Sequence, residues 1–169
     1  CGILEAWSEV DPDIADLGGN RGAYRLGEAK AFMESMSQEE ASVLFYGNSG
    51  LNPEKFTGFA PRYASLSAGN AQNIISASGS GSDNSSIWLI GWGENTITGI
   101  FPKGSTAGLR HDDYGEQTVG SITAIGTARM RALQERFQWK CGLILKDWRY
   151  AVRLCNIDIS NLVAESSNV

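Results

Sequence analysis

Apolar residues recur at helical spacing in the first third of the chain. Between residues 21 and 36 they follow one another at steps of three and four, and most charged residues fall between them. The recurring apolar positions are Leu26, Ala29, Met33 and Met36. Asn20 stands directly before this stretch, where an Asn side chain can cap the first turn. The pattern therefore predicts a helix over residues 21–36.

A capping-box sequence follows this helix at once. Residues 37–40 read Ser-Gln-Glu-Glu. At this spacing a Ser hydroxyl and a Glu carboxylate satisfy free backbone N–H groups at a helix start. The pattern predicts a second, short helix that buries Ala41, Leu44 and Phe45 and ends near Gly47 and Asn48. Residues 11–20 are rich in turn-forming residues and are predicted to be irregular.

Beyond the helical region, short strand patterns alternate with glycine-rich segments. Residues 86–92 and 96–101 are apolar and flank a three-residue turn at 93–95, so they predict a β-hairpin. Residues 71–77 suit either a short helix or a short strand. Residues 102–117 are polar and glycine-rich, which predicts a long surface loop.

Extended strands are predicted in the last third of the chain. Residues 117–125 suit one strand, which turns at Gly126. Residues 129–141 and 143–157 are two longer segments, the first with the alternation of apolar and polar residues that is typical of a strand. We expect these two segments to run beside each other as a ribbon. For residues 147–154 a helix remains an alternative.

The composition is that of an ordinary globular protein. The chain has 169 residues and a mass of 18.2 kDa, with 42% hydrophobic and 20% charged residues, which suits one domain or two small, closely packed ones. Its apolar runs fall far short of the roughly 20 residues of a membrane helix, so we expect no membrane partner. The chain opens without Met or a leader pattern, and we expect a truncated or processed chain.

The distribution of charge is more informative than its sum. Lys and Arg number 14 against 19 acids, a net charge of -5, which argues against a simple nucleic-acid-binding protein. Residues 1–60 carry 10 acids and 4 bases, whereas residues 129–153 carry seven bases and two acids. The seven bases are Arg129, Arg131, Arg136, Lys140, Lys146, Arg149 and Arg153.

Two interpretations of this basic segment remain open. Its bases alternate with aromatic residues, as in a track that binds nucleic acid. The same bases can also pair with the acidic segment, residues 1–60, of a neighbouring identical subunit. We favour the contact between subunits, because oppositely charged ends suit repeated head-to-tail association.

Candidate catalytic groups are few. His111 is the only histidine and stands beside Asp112 and Asp113. Adjacent residues of an extended chain point to opposite sides, and no second ligand stands at helical spacing. Neither a nucleophile elbow nor a phosphate-loop motif occurs. The three cysteines, at spacings that match neither a disulfide framework nor a zinc site, are Cys1, Cys141 and Cys155. We therefore expect no catalytic residue, metal site or cofactor.

Several stretches together resemble one family, the major capsid proteins of tailed double-stranded DNA bacteriophages with the Hong Kong 97-like fold. The resemblance covers most of the chain and depends on the order of the stretches. They are residues 38–48 (QEEASVLFYGN), 53–63 (PEKFTGFAPRY), 82–92 (SDNSSIWLIGW), 97–108 (ITGIFPKGSTAG) and 137–158 (FQWKCGLILKDWRYAVRLCNID).

The resemblance implies an α+β subunit with a spine helix, a long-stranded peripheral-domain sheet and a mixed α/β axial domain. Residues 1–48 would contain the lead-in and spine helix of the peripheral domain, and residues 49–126 would be mainly axial. Residues 127–169 would return to the peripheral domain. The N-terminal arm and extended loop of the family are not found in this sequence, so we expect the globular body of a longer protein.

The resemblance also implies a structural, non-enzymatic function. Copies of the chain would assemble into pentamers and hexamers of an icosahedral head that encloses double-stranded DNA. Partners would be the chain itself, scaffolding and portal proteins, and packaged DNA in non-specific contact. The protein would reside in the virion capsid, after assembly in the cytoplasm of the host bacterium.

An alternative function of a different class is a β-rich carbohydrate-binding module or glycoside hydrolase. Trp88 and Trp92 would supply an exposed stacking platform, and paired carboxylates such as Asp11 and Asp13 would supply acid–base chemistry. Tryptophan is also a common core and interface residue, which is the interpretation we favour.

Overall fold

The computed structural model describes residues 1–120 and 129–166. The helices are α1 (Pro12–Asp16), α2 (Arg21–Tyr46), α3 (Phe59–Arg62) and α4 (Ile159–Ser166). The strands are β1 (Gly2–Val10), β2 (Ile74–Ser76), β3 (Asn84–Ile90), β4 (Ile97–Ile100), β5 (Leu109–Gly120), β6 (Arg129–Leu145) and β7 (Ala151–Asp158). The fold class is α+β, as predicted. The predicted turn at Gly126 lies outside the described residues.

Two sheets organise the strands. The large sheet is built around β6, which pairs antiparallel with β1, β4 and β5. Since β1 and β5 both pair with the same stretch of β6, they lie on its opposite edges. The small sheet has the order β2-β7-β3, with β2 parallel and β3 antiparallel to β7. The 17 residues of β6 give the large sheet its length.

Helix α2 is a single helix of 26 residues. The Asn20 side chain accepts a hydrogen bond from the Ala23 N–H at 3.0 Å, so the predicted N-cap is confirmed. The predicted break at residues 37–40 is wrong, because Ser37 is exposed inside the helix. Gln38 there donates to Glu34 one turn earlier at 2.9 Å. A capping-box pattern depends only on neighbouring residues. Here the helix continues through residues 37–40 because its opposite face remains packed against the protein.

The helix runs along β6. Arg25 forms an ion pair with Glu135 near one end, and Glu40 accepts a hydrogen bond from Cys141 near the other. From Arg25 to Glu40 the helix advances about 22 Å, and from Glu135 to Cys141 the strand advances about 20 Å. The two elements therefore lie alongside each other over nearly the same length. Between these points Ala29 and Met36 are buried against Phe137. Of the predicted apolar stripe, Leu26 is 56% exposed instead.

A second core lies between the C-terminal end of α2, α3 and the small sheet. Phe59, Tyr63 and Ile97 are fully buried there. Leu44 and Phe45 pack against this core, as predicted. The predicted burial of Ala41 is wrong, because Ala41 is exposed on α2. The turn after α2 passes so close to the helix end that a Cβ on Gly58 would stand 2.5 Å from the Leu44 carbonyl oxygen, so glycine is required. Among the described residues no helix is both long and apolar enough to cross a membrane.

The predicted hairpin of residues 86–92 and 96–101 is wrong. β3 pairs with β7 in the small sheet, and β4 pairs with the end of β6 in the large sheet. A single bridge between Trp92 and Ile97 is what remains of the expected ladder. The apolar pattern identified the strands, but their partners lie more than 40 residues further along the chain.

The predicted loop over residues 102–117 is also wrong in its second half, which is β5. Polar residues of β5 are stabilised by pairs across the sheet, among them Asp112 with Arg136 at 2.7 Å and Glu116 with Arg131 at 2.6 Å. Gly115 takes a positive φ of 67° beside a β-bulge, where the register shifts.

Three further expectations are settled. Residues 11–20 are not irregular throughout, because Asp11 caps the short helix α1 and Pro12 occupies its first turn. Residues 71–77 contain a 3₁₀ turn followed by β2. The expected ribbon of residues 129–141 beside 143–157 is wrong, since β6 and β7 belong to different sheets and are joined by a 3₁₀ turn at Trp148–Tyr150.

Candidate assembly surfaces

The first two bases of the predicted segment lie where β6 begins. Arg129 is exposed and pairs in register with Gly120 of β5. Arg131 is exposed and forms an ion pair with Glu116 of the same hairpin. Both side chains are therefore accessible to a partner.

Arg136 and Lys140 lie on the helix-distal face of the large sheet, which is the face turned away from α2. The Arg136 guanidinium pairs with Asp112 and lies 5.6 Å from the ring centre of Trp7 and 5.7 Å from that of Tyr114. This hydrogen-bonded pairing holds the pKa of the Asp112 carboxyl below its usual range. Trp7 and Tyr114 stack on each other at 5.6 Å, so the face carries a charged and aromatic cluster.

Lys146 and Arg149 lie on the connection between β6 and β7. The Lys146 ammonium donates to the Glu94 carbonyl at 2.6 Å. Arg149 forms an ion pair with Asp147 at 2.7 Å. Both contacts are local, so these bases shape the turn that joins the two sheets.

Arg153 lies on the inner face of the small sheet. Its guanidinium donates to the Tyr63 carbonyl at 2.9 Å and lies 5.3 Å from the Trp88 ring centre. The seven bases thus occupy four places, and only Arg136 and Lys140 share the helix-distal face.

A charged cluster that the sequence did not predict joins α2 to the large sheet. Arg25 contacts Asp113 of β5 at 2.8 Å and also pairs with Glu135 of β6, whose side chain is only 9% exposed. The His111 Nε2 lies 3.3 Å from a Glu135 oxygen, and its ring stacks on Phe137 at 4.9 Å. The Arg25 guanidinium lowers the pKa of the Asp113 carboxyl, with help from the Gly115 N–H.

As expected, the two acidic residues that follow His111 point to opposite faces of the sheet. Asp112 points to Arg136 on the helix-distal face, whereas Asp113 points to Arg25 on the other. Within residues 1–120 and 129–162, no three His, Cys, Asp or Glu side chains are grouped so as to hold a metal ion. The missed partners, Arg25 and Glu135, are far apart in sequence, and only the inward register of β6 could have indicated them.

The cysteines are free thiols in the structure. Cys155 is buried in the second core, and Cys141 donates to Glu40 at 2.7 Å. Burial, followed by this hydrogen bond, raises the pKa of the Cys141 thiol to about 12. A thiol with such a pKa remains protonated at neutral pH and is a poor nucleophile.

The tryptophans that the carbohydrate alternative requires are placed for packing. Trp88 is half-buried among Phe45, Phe59 and Tyr63 at ring distances of 5.7 to 6.1 Å. Trp92 is 56% exposed and meets Phe59 edge to face at 6.0 Å. Asp11, one of the paired acids, caps α1. No observation therefore favours the alternative.

An apolar surface covers the outer face of the small sheet. Ile87 and Leu89 of β3 are 58% and 70% exposed, and Ile75 of β2 is 54% exposed. Strand register places Leu154 of β7 between Ile75 and Ile87, and Val152 of β7 beside Leu89. We call these five residues the apolar sheet face. A contiguous aliphatic surface of this kind marks a site of association.

Comparisons with known proteins agree with this picture. A family model described as Major capsid protein GP7 matches residues 1–169. A chain in the structure of bacteriophage Epsilon15, derived from cryo-EM and modelling, is 35% identical, with a TM-score of 0.70 over 98% of this chain and 50% of that chain. No curated protein sequence matches.

The expected resemblance to phage capsid proteins is confirmed by both matches. The chain spans about half the length of the Epsilon15 chain, and its two-sheet α+β fold is similar to that capsid fold. The matched family is structural rather than enzymatic. From the whole-length family match it follows that the chain belongs to the family of the major capsid protein GP7.

Proposed function

We propose that this chain is the body of a phage capsid subunit, many copies of which associate into pentamers and hexamers of an icosahedral shell around double-stranded DNA. The observation that carries the proposal is the family match over residues 1–169. The fold similarity to a bacteriophage Epsilon15 chain agrees with it.

The apolar sheet face supports association between copies. Three of its aliphatic side chains are more than half exposed, and they lie on β2 and β3, the two strands that flank β7. Burying such side chains stabilises an interface by roughly 25 cal/mol per Å² of apolar surface. We assign this face to a contact with a neighbouring copy, because self-association is the function proposed for the whole subunit.

Charged residues around β6 would give that association its register. Arg129 and Arg131 are exposed at the start of β6, and Glu28 and Glu34 are exposed on α2, within the acidic segment of residues 1–60. Pairing between such groups of different copies would favour one relative orientation of the subunits.

The two sheets support a division into two parts. We assign α2 and the large sheet to the peripheral domain, and α3 and the small sheet to the axial domain. This division differs from the predicted domain boundaries at residues 48 and 126, because β4 and β5 pair with β6 of the large sheet and residues 151–158 join the small sheet. The peripheral part would remain discontinuous in sequence, with α2 as the spine.

The remaining parts of the proposal follow from a capsid role. Assembly would take place in the cytoplasm of the host bacterium, with scaffolding and portal proteins as further partners. The mature protein would reside in the virion.

Negative-stain electron microscopy and light scattering on the protein expressed from its complete reading frame test the proposal. We expect closed shells or ring-shaped capsomers. Uniform monomers, also after co-expression with neighbouring phage genes, would refute the proposed function.

A further inference from the structure

Within the described part of the chain, two apolar surfaces of the subunit remain uncovered. Ile75, Ile87 and Leu89 of the apolar sheet face are 54%, 58% and 70% exposed. Ile159 and Leu162 of helix α4 are 46% and 55% exposed. The two surfaces therefore do not cover each other in one subunit, and each is stabilised by a partner that removes it from water.

The small sheet is packed against helices on one face only. Its inner face meets the end of α2 and α3, where Phe45 and Phe59 contribute to the second core. Its outer face is the apolar sheet face. A sheet with two apolar faces is stabilised by a packed layer on each of them. The outer strands β2 and β3 lie about 10 Å apart across β7, which is close to the diameter of one helix, so a single helix would cover this face.

Helix α4 has the character of a helix that lies on such a face. Ile159 and Leu162 stand three residues apart, on the same side of the helix. Residues 159–164 contain no charged residue, and neither does β3. Contact between the two would therefore desolvate no charge, as is typical of the centre of a protein interface.

Two carboxylates fix the start of α4 at one end of the small sheet. The Ser160 N–H donates to Asp83 at 2.9 Å, and the Asn161 N–H donates to Asp158 at 3.2 Å. Asp158 is the last residue of β7 and pairs in register with Asn84 at the start of β3. If α4 swung back across its own apolar sheet face it would lose these caps, at a cost of about 1 kcal/mol each.

We propose that α4 of one subunit packs on the apolar sheet face of the next subunit around a capsomer. The proposal rests on the proposed capsid function and names the element that covers this face. The two surfaces differ, so each copy presents its sheet to one neighbour and its helix to the other. Such a head-to-tail contact closes into a ring when the rotation between copies permits. It agrees with the assignment of the small sheet to the axial domain.

The size of the contact suits a ring better than a free dimer. A patch of five aliphatic side chains covers roughly a few hundred Å². A stable interface buries about 800 Å² on each partner, so a single contact of this kind falls short of it. In a closed ring each copy makes the contact twice, once with its sheet and once with α4. The contact therefore adds to the stability of a ring without holding two free subunits together.

Paired cysteines in particles formed by the full-length protein test the contact. Leu89→Cys places a thiol on the apolar sheet face, and Leu162→Cys places one on α4. Cys1→Ser provides the background, since Cys1 is the exposed native thiol among the described residues. After mild oxidation of assembled particles, we expect the double variant to give a ladder of cross-linked species on a non-reducing gel, which collapses to one band on reduction.

Single variants distinguish the direction of the contact. Particles co-assembled from Leu89→Cys and Leu162→Cys subunits should give cross-linked dimers, whereas either variant alone should stay at the background level. Leu51→Cys with Leu162→Cys is the matched control, because Leu51 is 79% exposed and lies outside the apolar sheet face. It should give no ladder. Ile75→Cys with Leu162→Cys is a second pair across the face, and at least one of the two pairs should cross-link.

Three results would overturn the proposal. Dimers from Leu89→Cys alone would show that the apolar sheet face contacts its own counterpart across a two-fold axis. A disulfide confined to the monomer band would show that α4 covers the sheet of its own subunit. Normal shells without cross-links in either pair would exclude the contact and leave the capsid function intact. Failure of the wild-type protein to form shells would refute the proposed function, and the contact with it.

Discussion

Arg25 is the residue that ties the spine helix to both neighbouring strands of the large sheet. Its guanidinium contacts Asp113 of β5 and pairs with Glu135 of β6. The Arg25 side chain is 18% exposed, so solvent screens these pairs less than it screens surface pairs. Removing the cation would leave the buried Glu135 carboxylate with the His111 ring as its remaining neighbour.

Arg25→Met should therefore destabilise the unassembled subunit by about 2–3 kcal/mol, somewhat less than the loss of one partner of a fully buried pair. Chemical denaturation measures this free energy of unfolding. Arg21→Met is the matched control, because Arg21 pairs with Asp16 at the surface and surface pairs contribute little. Equal effects of the two substitutions would contradict the structural importance of the Arg25 cluster.

The same cluster predicts a pH dependence. The pKa of the Asp113 carboxyl is lowered in the folded protein, chiefly by its contact with the Arg25 guanidinium. A lowered pKa contributes stability above the ordinary carboxyl pKa of about 4, and this contribution is lost as the pH falls through the folded value. Asp113→Asn should thus lower the Tm at neutral pH, and the difference from wild type should shrink below about pH 4.

Thermal melts of both proteins across this pH range provide the measurement. In an Arg25→Met background the pH-dependent effect of Asp113→Asn should be smaller, since the chief cause of the lowered pKa is gone and only the Gly115 N–H still donates to the carboxylate. A difference in Tm that stays constant down to acid pH would contradict this account of Asp113.

At the scale of elements, the continuity of α2 through residues 37–40 can be tested by a single substitution. Ser37 is exposed inside the helix, where Ala has the higher helix propensity. Ser37→Ala should raise the free energy of unfolding by about 0.5 kcal/mol. If residues 37–40 began a separate helix, the substitution would instead remove a cap and cost about 1 kcal/mol. Asn20→Ala, at the observed cap, should show that loss.

Local patterns identified elements better than they identified partners. The Asn20 cap and the strand character of β6 could be read from neighbouring residues. The pairing of β4 with residues 142–145 could not, because the apolar residues around 86–101 suit a hairpin equally well. Residues 117–120 of β5 were predicted as a strand, but residues 109–116 were missed since their polar side chains are stabilised by Arg25, Arg131 and Arg136, none of which is near in sequence.

The candidate surfaces show the same contrast between what a local pattern reveals and what strand pairing decides. Sequence identified the seven bases, but strand register decides that Arg136 and Lys140 share a face and that Arg153 lies under Trp88. The apolar sheet face went unnoticed because β3 and β7 each alternate, and the five residues come together only when three strands pair.

At the scale of the whole molecule, association should depend on the apolar sheet face. Leu89 is 70% exposed, so Leu89→Asp should leave the folding of the subunit unchanged while it places a charge in the contact between copies. We expect loss of shells by electron microscopy and an unaltered Tm of the unassembled protein.

Leu51→Asp is the matched control, since Leu51 is 79% exposed in the segment after α2 and outside the apolar sheet face. It should still permit shells. A large drop in the Tm of the unassembled Leu89→Asp protein would instead show that another part of the same polypeptide covers this face, and would contradict its assignment to a neighbouring copy.

The central claim is that this chain is the body of a shell-forming subunit. The most direct measurement is a cryo-EM reconstruction of particles formed by the protein expressed from its complete reading frame. We predict an icosahedral shell in which every subunit shows the 26-residue helix lying along the 17-residue strand, and in which the apolar sheet face contacts a neighbour. Particles without icosahedral order, or a shell whose subunit density cannot contain this helix and sheet, would contradict the account.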